Sequence, residues 1–121
     1  MITIEQLKSI KERTEALLRY LDIEGKKIQV EEEQLRTQAP GFWDVQKTAE
    51  AQMKKVKGLQ QWIAGYNEIK TLSDELQLAF DFYKDELVTE EEIDEAYAKA
   101  SVAIDELELK YLLRDGADTM V

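Results

Sequence analysis

The residues in this chain best suited to chemistry are two carboxylate runs, three serines and a lysine cluster. The runs are Glu31-Glu32-Glu33 and Glu90-Glu91-Glu92; the others are Ser9, Ser73 and Ser101, and Lys54, Lys55 and Lys57. Clustered carboxylates could hold a divalent metal. Di-iron helical sites, however, need a Glu-x-x-His pair, and the 121 residues include no histidine and no cysteine. No EF-hand loop is present either. The same gap removes the commonest general base and the best thiol nucleophile, and no serine has an activating neighbour. The sequence therefore assigns no catalytic residue, no metal ligand and no cofactor site. Three lysines beside acidic neighbours are a small phosphate footprint, so no direct sequence-specific nucleic-acid binding is expected.

The carboxylates then need a structural explanation. Glu90 to Glu92 fit the acidic first turn of a helix, where the helix dipole favours negative charge. Glu31 to Glu33 read as a solvated helix face. Net charge is −10, yet residues 1–70 hold 12 basic and 11 acidic side chains, against 4 and 15 in residues 71–121. That acidic half argues against nucleic acid and for a basic protein partner, with plain solubility as the other reading. Absence of cysteine removes a disulfide framework. No apolar run reaches membrane-helix length, and Met1 to Ile10 lack the pattern of a signal peptide. A cytoplasmic protein with no membrane contact is expected.

With 44% hydrophobic and 35% charged residues, one proline and five glycines, the chain is predicted to be one all-α domain over residues 1–121. Thr3 and Gln6 form a capping box flanked by the staple Ile2 and Leu7. Leu7, Thr14, Leu21, Ile28 and Leu35 recur every seven residues, with Ile10 and Leu17 between them. This predicts a first helix over about 4–36, with Glu24-Gly25 as a place where it can bend. Asp44 is expected to cap a second helix over about 44–83, striped by Val45, Ala49, Val56, Leu59 and Ile63. Trp62, Tyr66, Ile69, Leu76, Phe80 and Tyr83 continue that stripe. Thr89 and Glu92 make a second capping box with the staple Val88 and Ile93. A third helix over about 90–114 follows, with Gly116 as its stop. Its stripe is Ile93, Tyr97, Ala100, Ile104, Leu107 and Tyr111.

Short loops between long helices give an antiparallel three-helix bundle. The third helix is too short to cover the whole second one, so a two-helix coiled-coil hairpin must project, tipped by Thr37-Gln38-Ala39-Pro40-Gly41-Phe42-Trp43-Asp44. Pro40 forbids helical geometry at Ala39 and ends the first helix. Phe42 and Trp43 are expected to fold over the open end of the seam; the alternative is a docking knob.

The segment from Arg19 to Asp44 resembles the N-terminal helical domain of bacterial peptide chain release factor 2, in the class I release-factor family. The matching features are Tyr20-Leu21-Asp22, Lys26-Lys27, Glu31-Glu32, Leu35, and Pro40 with Trp43 three positions on. Ala49 and the closing Glu106 to Asp118 also fit. The resemblance implies a role in translation termination, with the codon-reading and catalytic domains of such factors outside these 121 residues. Neither Ser-Pro-Phe nor Gly-Gly-Gln occurs here, so no enzymatic activity is expected. It further implies contacts with the ribosomal stalk base or the class II release-factor GTPase. The candidate contact residues are Glu91, Asp94 and Glu95 on the third helix, and Phe42 and Trp43 at the tip. A generic coiled-coil adaptor or oligomerisation module is the alternative.

Overall fold

The computed structural model describes residues 1–114, which form an all-α bundle. Four helices follow in order: α1 (Ile4–Tyr20), α2 (Ile23–Arg36), α3 (Gln46–Tyr83) and α4 (Glu90–Leu113). A short 3₁₀ turn at Phe42–Asp44 precedes α3. At 1.5 Å per residue, the 38-residue α3 is about 57 Å long and the 24-residue α4 about 36 Å. Starting beside the far end of α3, α4 reaches Trp62 in its last turn, where Lys110 Nζ lies 4.8 Å from the ring centre. Beyond Trp62, α2 and the first part of α3 run on as a two-helix hairpin.

The predicted first helix is two helices. Asp22 takes left-handed geometry, φ 50° and ψ 55°, and caps α2 by accepting from the Gly25 amide at 3.3 Å. The break thus falls at Leu21–Asp22, ahead of Glu24-Gly25. Gly25 does not bend the helix; it makes room for the cap. A Cβ at this position would lie 2.2 Å from Asp22 Oδ2. Lys26 closes the junction by donating from Nζ to the Leu21 carbonyl.

The break resets the helical phase, which corrects the heptad reading. Leu7, Ile10, Thr14, Leu17 and Leu21 are buried as expected, and Thr14 satisfies its hydroxyl on the Ile10 carbonyl at 2.8 Å. Beyond Asp22 the buried residues are Ile23, Val30 and Glu33, while Ile28 and Leu35 are exposed. One non-helical residue rotates every later side chain, so a seven-residue repeat carried across it names the wrong face. The α1–α2 unit still runs evenly against α3. Lys11 reaches Gln77 at 3.0 Å in the bundle and Glu33 reaches Lys55 at 3.5 Å in the hairpin, an equal advance along both.

Two helix starts behave as expected and one does not. Thr3 and Gln6 form the reciprocal box around α1. Thr89 accepts from the Glu92 amide at 3.2 Å at α4, with only that half of the box formed. Asp44 does not cap α3: it lies in the 3₁₀ turn, and α3 begins at Gln46 after Val45 with no side-chain cap. The Gly116 stop lies outside the described residues.

Ile10, Leu17, Leu21, Ile23, Ile69, Leu76, Ile93 and Ile104 are the large side chains removed almost entirely from water, and all belong to the bundle end. Each contributes roughly 1.5–3 kcal/mol by burial. The hairpin buries only Val30, Ala49 and Val56 among its apolar residues. Stability is therefore concentrated in the bundle, and the hairpin is a thin two-helix extension of it.

Candidate functional site

The tip of the hairpin is held by its own backbone. Amides of Thr37, Gln38 and Ala39 donate to the carbonyls three residues back, each at 3.1 Å. Phe42 N donates to Ala39 and Asp44 N to Gly41, also at 3.1 Å. Gly41 makes the reversal with φ 82°, a left-handed value that a side chain would strain. The result is a fixed turn carrying two aromatic rings edge to face, Phe42 and Trp43, with centroids 4.9 Å apart and planes at 87°.

The two rings differ in exposure. At three residues per 3₁₀ turn, neighbouring side chains leave the backbone about 120° apart, which gives the two rings different surroundings. Phe42 is half-buried, whereas Trp43 is 61% exposed. The expected cover over the seam is thus not formed by Trp43. It stands exposed at the tip, against the groove between the helices.

Trp43 borders two depressions, one between α2 and α3 and one along α3 alone. One, of about 860 Å³, is lined by Gln34, Thr37 and Gln38 of α2 and by Met53, Lys54, Val56, Lys57 and Gln60 of α3. The other, of about 390 Å³, lies beside Gln46, Ala49, Glu50 and Met53. Trp43 and Met53 are walls of both. Sequence reasoning missed this surface, although Met53, Val56 and Gln60 repeat at helical spacing. It read Lys54, Lys55 and Lys57 as one patch. The structure splits them: Lys55 turns to Glu33, while Lys54 and Lys57 line the groove.

Glu33 also departs from its predicted place. Glu31 and Glu32 are solvated, but the Glu33 side chain is only 4% exposed, with Lys55 at 3.5 Å and Arg36 at 3.6 Å. Both cations approach Oε1, and Oε2 has no hydrogen-bond partner.

The other candidate contact surface is at the opposite end of α3, about 57 Å from the tip by helix length. Glu91 and Glu95 are exposed there, but Asp94 is engaged: its Oδ2 accepts from the Met1 amine at 3.1 Å. The acidic face of α4 is further neutralised from α1. Arg13 binds Glu108 through both its Nη2, at 2.5 Å, and its Nε, at 3.2 Å, and reaches Asp105 at 2.7 Å. These bonds, that to Glu108 first, hold the Arg13 guanidinium above its ordinary pKa and fully charged. Two cations at the end of α4 also lie against aromatic rings. Lys110 sits over Trp62, and Arg114 stacks on Tyr111 at 3.6 Å. The structure brings Phe42 and Trp43 together and separates them from Glu91, Asp94 and Glu95.

Among the described residues no helix is long and apolar enough to cross a membrane. No protein-family model matches the sequence. Known proteins do resemble it: the chain is 27% identical over 95 residues to peptide chain release factor 2 of Staphylococcus aureus strains bovine RF122 / ET3-1, COL and N315. The aligned part is 77% of this chain and 26% of each relative. The chain thus spans about a quarter of the length of the curated relatives it matches, and what it shares with them is a release-factor-2-like region.

Proposed function

We propose that this chain is a non-catalytic helical part of a translation-termination factor, which positions the factor on the ribosome through its hairpin tip. The partner surface is the stalk-base region or the class II release-factor GTPase. The observation that carries the reading is Trp43, a large aromatic left exposed on a backbone-locked turn at the end of a projecting hairpin. Apolar side chains in such positions commonly anchor interfaces, because a rigid ring loses little entropy on burial. Similarity to release factor 2 supports the setting in termination. Reactive groups for peptidyl-tRNA hydrolysis are lacking, so the chain contributes contact and not chemistry.

Competition tests this. Added in excess to stop-codon-programmed ribosomes, the chain is expected to release no peptide by itself and to slow release by an authentic factor. Release above a no-factor control would contradict the non-catalytic reading, and unaltered release by the authentic factor would contradict the positional one. The second reading, an oligomerisation module, draws on Ile28 and Leu35, exposed seven residues apart on the outside of α2. It requires a concentration-dependent dimer in sedimentation equilibrium that Ile28→Lys abolishes.

A further inference from the structure

The groove beside Trp43 lies in the half of the chain whose charges balance, 12 basic against 11 acidic over residues 1–70. Its lining nevertheless includes Lys54 and Lys57 and no carboxylate. Neither lysine makes an ion pair among the described residues, whereas the adjacent Lys55 is directed to Glu33. The apolar part of the lining remains open to water: Trp43 is 61% and Met53 45% exposed. On α3 the positions Met53, Val56, Lys57 and Gln60 fall at i, i+3, i+4 and i+7. The groove therefore follows the helix axis for about two turns, roughly 10 Å.

A channel between two antiparallel helices, apolar at its wall and flanked by one sign of charge, has the form that receives an amphipathic helix of opposite charge. We infer that this groove binds a short acidic amphipathic helix of a partner protein. The apolar residues of that helix cover Trp43 and Met53, and its flanking carboxylates pair with Lys54 and Lys57. The inference rests on the tip-docking reading above and gives its partner a chemistry. A basic segment would find no carboxylate in the groove lining; Glu50 lines only the adjoining depression on the other side of Trp43 and Met53. Two lysines are also too few for a phosphate backbone, whose binding grows with each neutralised phosphate.

The test is a nuclear magnetic resonance titration of the whole chain with a synthetic helical peptide of about 14 residues, near the shortest length that is helical in water. The peptide carries Leu and Phe on one face and Glu on the flanks; a control replaces every Glu with Lys. Signals of the Trp43 indole and the Met53 methyl group are expected to move with the acidic peptide. Lys54→Glu with Lys57→Glu should weaken it at least about tenfold and strengthen the lysine peptide, with Lys54→Gln and Lys57→Gln intermediate. The proposal is overturned if the acidic peptide does not bind, if both peptides bind alike, or if the charge reversal leaves its affinity unchanged. Shifts at Trp43 that follow protein concentration alone, with a dimer in sedimentation equilibrium, would give the groove to a second copy and overturn it too. No ribosome is present in this assay. Loss of peptide binding with Trp43-dependent ribosome binding intact would therefore refute the acidic helix and leave the docking tip standing.

Discussion

Arg13 of α1 grips Glu108 of α4 with two parallel hydrogen bonds, from Nη2 at 2.5 Å and from Nε at 3.2 Å, and holds Asp105 with a third at 2.7 Å. A guanidinium fork fits a carboxylate in a way that a lysine ammonium does not. The contact joins the first and last helices at the point where both pack on α3. Partial exposure on each side moderates its strength.

Arg13→Ala is therefore expected to lower stability by about 1 kcal/mol, and Arg13→Lys to recover less than half of that. Urea unfolding of the two variants measures it. Equal stability for Lys and Arg at this position would show that the fork geometry adds nothing to the charge.

Gly25 and Gly58 are expected to respond to alanine in opposite directions. A Cβ on Gly25 would collide with the Asp22 carboxylate and undo the α2 cap, whereas one on Gly58 meets nothing within 4 Å. Gly25→Ala should cost about 1–2 kcal/mol. Gly58→Ala, inside α3, should gain up to about 1 kcal/mol from helix propensity. Thermal unfolding of the pair decides; a stabilising Gly25→Ala would contradict the cap at the α1–α2 break.

How far the sequence announced this fold depended on the distance over which each signal acts. The Thr3 and Thr89 caps are set by four neighbouring residues, and both were legible. The stripes from Tyr66 to Leu76 and from Ile93 to Leu107 lie in unbroken helices, and they named the core correctly. Asp22 was not legible as a break, because an aspartate in left-handed geometry interrupts neither the charge pattern nor the heptad spacing. That single residue moved Ile28 and Leu35 out and Glu33 in. At the tip, Pro40 and Gly41 located the turn, but the exposure of Trp43 depended on the 3₁₀ geometry that follows. The groove was hidden because its two walls come from separate helices. Lys54 and Lys57 acquire meaning only once Lys55 is seen to face elsewhere.

Glu33 tests the hairpin seam. Its carboxylate is buried with one oxygen unpartnered, and its two cations lie at 3.5 and 3.6 Å. Replacing a buried ion pair with a well-packed apolar residue is often neutral or stabilising, whereas removing one partner is costly. Glu33→Leu should leave stability unchanged or raise it by about 1 kcal/mol, while Lys55→Ala lowers it. A loss of more than about 2 kcal/mol in Glu33→Leu would mean that the carboxylate is required in the seam.

Alkaline pH should loosen the bundle. Burial raises the pKa of Tyr20, and the Glu108 charge adds to it; burial also raises that of Tyr66. A raised folded-state value means that the native protein holds the phenol proton more tightly than the unfolded chain. The resulting stability is complete below the unfolded tyrosine value near 10 and is lost as pH rises through the folded ones. Chemical unfolding at pH values on both sides of about 10 should show the decline. Tyr20→Phe should reduce its slope; an unchanged slope would remove Tyr20 as a source.

The central claim, that this molecule docks through its tip, is tested most directly by ribosome binding of Trp43→Ala beside a variant in which Glu91, Asp94 and Glu95 become Gln, Asn and Gln. Trp43 is 61% exposed, so its removal should leave the unfolding midpoint unchanged and any effect reports contact. With labelled protein and purified ribosomes, Trp43→Ala is expected to weaken binding by at least about tenfold, the scale of a hot-spot aromatic. The α4 variant should retain most of its affinity and lose mainly association rate at low salt. Full affinity in Trp43→Ala, with binding lost in the α4 variant, would contradict the claim and move the contact to the acidic end of the bundle.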